Sequence, residues 1–75
     1  MRKEGVVKSH SRQHGYGFLI DDAGEMFFFH NTQWGLPIPP VKGLRVEFTP
    51  TETDKGMRAE DIGRIYRKKE KKNGE

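Results

Sequence analysis

The residues of this chain with the most chemical character are rings. Six of its eight aromatic residues lie between positions 16 and 34. They fall mainly in two runs, His14-Gly15-Tyr16-Gly17-Phe18-Leu19-Ile20 and Met26-Phe27-Phe28-Phe29-His30. In an extended chain alternate side chains share a face. The first run therefore groups His14, Tyr16 and Phe18 on one side, with Gly15, Gly17 and Leu19 on the other. In the second, Phe28 and His30 share one face and Phe27 and Phe29 the opposite one. Leu19, Phe27 and Phe29 form a purely apolar set suited to a core, whereas Tyr16, Phe18, Phe28, His14 and His30 include polar tips suited to a surface. A domain seldom exposes large rings side by side without using them. The ligand that fits is an unpaired nucleobase, which has a flat π-face of its own.

Other chemistry finds little to work with. No nucleophile stands beside a base and no phosphate-cradling glycine loop occurs, so the chain reads as a binding module and not an enzyme. Asp21-Asp22 is an acid pair, but inside a turn signal. Three histidines lack any carboxylate or thiol at ligand spacing, so no metal or other cofactor is expected. There is no cysteine, which fits a reducing compartment. The opening Met-Arg-Lys-Glu-Gly has no signal-peptide character, and no apolar run approaches a membrane span. The expectation is a soluble, cytoplasmic monomer without a small-molecule substrate.

Charge points to an anionic partner only after it is divided. Residues 1–63 carry eight Lys or Arg against nine Asp or Glu, and residues 64–75 carry six against two. The basic excess thus belongs to the tail. Within the domain Arg2, Lys3, Lys8 and Arg12 crowd the N-terminal end, with Lys8 read as a phosphate contact.

The elements that must hold these residues are strands. Short segments rich in Val, Phe and Ile recur between turn signals, with no sustained helical period. Strands are expected near Gly5–His10, Tyr16–Ile20, Glu25–His30, Leu44–Thr49 and Met57–Ile62. Asp21-Asp22-Ala23-Gly24 and Asp54-Lys55-Gly56 read as turns. Gly35-Leu36-Pro37-Ile38-Pro39-Pro40 is too proline-rich for a central strand and reads as a stiff loop. Trp34, just before it, is expected to plug the end of the barrel. One domain over residues 1–66 and a disordered basic tail over 67–75 complete the division.

Gly15-Tyr16-Gly17-Phe18-Leu19 and Phe27-Phe28-Phe29-His30 resemble the two ribonucleoprotein motifs of cold-shock domains, in the right order with a short turn between. Glu4-Gly5-Val6-Val7-Lys8, Gly43-Leu44-Arg45-Val46-Glu47-Phe48 and Lys55-Gly56-Met57-Arg58-Ala59-Glu60-Asp61-Ile62 are similar to that family's first, fourth and fifth strands. The resemblance covers residues 4–63. It implies a five-stranded antiparallel Greek-key barrel of the oligonucleotide-binding kind, with single-stranded RNA or DNA lying across strands two and three. It further implies base stacking on Tyr16, Phe18, Phe28 and His30, a basic contact from Lys8, and work as an RNA chaperone or gene-expression regulator. His10, His14 and Arg58 complete the expected nucleic-acid face, with Lys55 bordering it. Ser9-His10-Ser11 stands where the family has Trp-Phe-Asn, and His14 where it has lysine. Two stacking rings are thereby lost or reduced to an imidazole, so a shorter or weaker footprint is expected. The rival reading is a small barrel that docks another protein through the aromatic face and the proline loop.

Overall fold

The computed structural model describes residues 2–65. Tyr66 and the Lys-rich segment 67–75, read from the sequence as a disordered tail, lie outside the described residues. The chain folds into a closed barrel of five strands: β1 (Lys3–Ser11), β2 (Tyr16–Asp21), β3 (Met26–His30), β4 (Arg45–Thr53) and β5 (Gly56–Gly63), with a 3-10 turn at Asn31–Gln33. Their order around the barrel is β1-β2-β3-β5-β4, closed by β4 against β1. This is the expected all-β, five-stranded form.

Parity imposes one departure from a wholly antiparallel ring. Strands that alternate direction around a closed ring must be even in number, so five strands require one parallel neighbour pair. It falls between β3 and β5, where Phe28 lies opposite Arg58. The other four neighbour pairs are antiparallel.

Alternation builds the core. Val7, Leu19, Phe27, Phe29, Val46, Phe48, Ala59 and Ile62 are sealed from solvent, and Phe27 packs against Phe48 at 4.9 Å between ring centres. Gly17 leaves no room for a side chain between β1 and the core. A Cβ there would lie 2.5 Å from the Ser9 carbonyl oxygen and 2.9 Å from the Phe29 ring. Trp34 packs its ring on Phe29 at 5.7 Å and donates from Nε1 to the Ile38 carbonyl at 2.7 Å, strapping the proline loop to the barrel end.

Two strands run differently from the expectation. β4 continues past Thr49 through Pro50 to Thr53. Its pairing with β1 covers Arg45–Phe48, and beyond that point no described strand pairs with that side of β4, a place where a sheet tolerates the donor missing from Pro50. In β1 the register against β2 slips between Val7 and Ser9. Lys8 is the extra residue of this β-bulge, and Lys8 and Ser9 both face solvent in succession. Such an irregularity re-aims side chains where a strand meets a site.

Candidate nucleic-acid interface

The outward faces of β2 and β3 carry the rings in register. Tyr16 lies opposite His30 and Phe18 opposite Phe28, while Gly17–Phe29 and Leu19–Phe27 fall on the inner face between them. Tyr16 sits 5.5 Å from Phe28, and Phe18 meets Phe28 edge-on at 5.8 Å, in the geometries aromatic pairs prefer. His14 extends the row by stacking on Tyr16 at 5.7 Å. Tyr16, His14 and His30 are exposed, whereas Phe18 and Phe28 are half-buried. Their partial cover comes from one another and from β5, whose Met57 and Arg58 stand beside them across the parallel seam. Sequence reasoning placed β5 without assigning its faces, and so missed Met57. The alternation Met57, Ala59 against the buried Ile62 was too irregular to show which face it took.

An open groove of about 640 Å³ runs beside Phe18, Phe28 and His30, and does not reach Tyr16. Phe18, Phe28, His30 and Met57 supply its apolar wall, with Lys55 and Arg58 contributing cations. Asp54 and Gly56 mark its end at the β4–β5 turn. Gly56 takes φ of +127°, a conformation that favours glycine. His30 is held by Thr32, whose backbone N–H donates to Nδ1 at 3.2 Å. With Nδ1 accepting, the proton of the neutral ring sits on Nε2, leaving an N–H donor free to meet a ligand. Arg58 Nε is shielded from solvent without a hydrogen-bond partner among the described residues. Buried donors are seldom left this way.

His10 and Lys8 lie elsewhere. His10 is half-buried, lies nearly flat on the core ring of Phe29 at 5.9 Å, and its Nε2–H donates to Asn31 Oδ1 at 2.9 Å. It lines a second groove, together with Lys8, Ser9, Arg12, Asn31 and Lys42. His14 lines neither groove and hydrogen bonds through Nδ1 with Ser11 Oγ at 2.8 Å. Trp34 lines neither.

The cations divide sharply by partner. Arg2 pairs with Glu47 and Asp61, Lys3 with Asp21, and Arg45 with Glu4 and Asp22. Arg2 and Lys3 therefore do not join Lys8 and Arg12 in one basic cluster, as their closeness in sequence suggested. They are at the opposite end of β1, against β4, where carboxylates neutralise them. Lys8, Arg12, Lys42, Lys55, Arg58 and Arg64 make no ion pair among the described residues, and all but Arg64 line one groove or the other.

No group of three or more His, Cys, Asp or Glu among the described residues is placed to hold a metal ion. No helix there is long and apolar enough to cross a membrane. Compared with known proteins, the chain matches no family model and no curated sequence.

Proposed function

We propose that this chain is a cold-shock-like module that binds single-stranded RNA or DNA, stacking bases on Tyr16, Phe18, Phe28 and His30. The observation that carries this reading is the segregation just described. A row of rings lies on the outer face of a barrel whose core is already complete without them, and Lys55 and Arg58, unpaired among the described residues, line the groove beside it, while Arg2, Lys3 and Arg45 are neutralised by acids. Rings with cations beside them suit bases with phosphates between them. Arg58 is well placed for such a role, since it lines the groove beside Phe28 and makes no ion pair among the described residues. The cellular role we infer is that of a cytoplasmic RNA chaperone or regulator of gene expression, which holds strands unpaired without catalysis.

The test is fluorescence anisotropy of end-labelled dT, rU and rA homopolymers, titrated with the protein at low and high salt, against a duplex of the same length. Binding to the single strands, weaker to the duplex and weakening as salt rises, is the expected result. A protein that ignores all three homopolymers at low ionic strength ends the proposal. A salt-indifferent affinity for another protein would favour the rival docking reading.

A further inference from the structure

The second groove, of about 790 Å³, has a different chemistry from the first. Its cations come from three separate elements: Lys8 from the β1 bulge, Arg12 from the β1–β2 turn and Lys42 from the turn before β4. The fold brings them together by backbone bonds. Gly43 N–H donates to the Val7 carbonyl at 2.8 Å and Val7 N–H to the Leu44 carbonyl at 3.0 Å, which clamps the Lys42 turn against β1 beside the bulge. At the other end Gly15 N–H donates to the Ser11 carbonyl and Asn31 N–H to the Gly15 carbonyl, both at 2.9 Å, fixing the Arg12 turn against the end of β3. Among the described residues no carboxylate lines this groove. Its one ring among these residues, the His10 imidazole, has one face covered by Phe29 and its Nε2 tied to Asn31. Pro39, Pro40 and Val41 form a stiff wall with no side-chain hydrogen-bonding group.

A surface with three cations unpaired among the described residues, two small polar side chains and a single tethered imidazole is poor in platforms for bases. It attracts a string of anions. We infer that this groove is a base-blind phosphodiester track, continuing the path of the strand whose bases are read on the first groove. Consecutive residues line the two grooves, His30 the first and Asn31 the second. The inference rests on the proposed single-strand binding and divides its footprint in two. Sequence discrimination comes from the β2–β3–β5 half alone, and the β1 half adds affinity without regard to base.

The experiment compares labelled dT and dA oligomers with an abasic oligomer of equal length over a range of salt, using the full chain. The variants are Lys8→Gln/Arg12→Gln/Lys42→Gln, the single exposed substitution Lys42→Glu, and Phe28→Leu. Each phosphate contact on a single strand contributes about 0.7 to the slope of log affinity against log salt. The triple variant is expected to flatten that slope by about 2, equally for dT, dA and the abasic strand. Lys42→Glu is expected to weaken all three strands by the same factor, while Phe28→Leu weakens dT and dA and spares the abasic strand. Unchanged slopes in the triple variant, with dT still bound by the parent, overturn the track and leave the stacking proposal standing. Losses that depend on base identity overturn it too. A parent protein that binds none of the strands overturns both.

Discussion

At the scale of single residues, the proposal depends on which property of Phe18 and Phe28 is in use. Both rings are half-buried, so truncation to alanine removes packing as well as π-surface. Phe18→Ala and Phe28→Ala are expected to weaken single-strand binding by about 1–3 kcal/mol, with some loss of stability. Phe18→Leu and Phe28→Leu separate the two effects, because leucine keeps apolar volume against Met57 and Arg58 but offers no flat face. Anisotropy titration should show affinity lost while the melting temperature stays near that of the parent. A leucine variant that binds like the parent would mean that the rings serve packing alone. Gly17 makes a complementary prediction about the inner face. Adding a methyl group there, 2.5 Å from a backbone oxygen and 2.9 Å from a core ring, forces neighbours that cannot swing aside. Gly17→Ala is therefore expected to cost about 1–3 kcal/mol, seen by circular dichroism as a drop of about 4–8 °C for each kcal/mol. An unchanged melting point would mean that β1 and β2 have slack between them. The glycine between two rings is thus a requirement of the same strand that carries the rings.

At the scale of elements, the β2–β3 turn shows how one side chain organises a hairpin. Asp21 Oδ1 accepts from the N–H groups of Glu25 at 2.8 Å and Ala23 at 3.0 Å, and Oδ2 lies 3.3 Å from Lys3 Nζ. The bond from Glu25, reinforced by Lys3 and opposed by desolvation, holds this carboxyl below the usual aspartate range. A folded state that binds the proton less tightly than the unfolded chain gains stability above the ordinary aspartate pKa. That gain is lost as pH falls through that range to the lower folded value. Asp21→Asn keeps the Oδ1 acceptor and loses the charge, so melting curves followed from about pH 7 to about pH 2 should show a less stable variant with a flatter acid limb. Acid limbs that run parallel would show that Asp21 does not couple the turn to pH. This turn, and the faces of β2 and β3, were legible in the sequence because rings alternate with glycine along β2, His30 gives the Phe28 face of β3 a polar tip, and Asp and Gly close the run. The β1 bulge was not. Lys8-Ser9-His10-Ser11 is polar throughout, so a slipped register leaves no break in alternation to notice. Pro50 concealed the end of β4 for the opposite reason, as a strand-breaking residue at a place where no described strand pairs with that side of β4. The division of cations into paired and unpaired was likewise hidden, since it depends on strands that are distant in sequence.

At the scale of the whole molecule, parity and the candidate site coincide. Five strands in a ring need one parallel junction, and here it has a single register pair, Phe28 opposite Arg58, supplemented by the bridge of Trp34 to Ile62. The junctions on either side are longer: β2–β3 pairs from Tyr16–His30 to Ile20–Met26, and β4–β5 from Glu47–Gly63 to Thr53–Gly56. Local opening follows the line with the fewest backbone bonds. The barrel is therefore expected to open first along β3–β5, directly under the groove lined by Phe28 and Arg58. A strand that stacks on Phe28 and contacts Arg58 touches both sides of that line and favours the closed form, so binding and barrel closure become linked. Hydrogen exchange of the free protein should find the amides pointing into the β3–β5 junction to be the fastest among the paired strand residues. Adding a saturating dT oligomer should slow them by a larger factor than it slows the amides between β1 and β2. Uniform slowing would mean that the ligand stabilises the barrel only as a whole, and junction amides as slow as those of β1–β2 would mean that the ring has no preferred place to open.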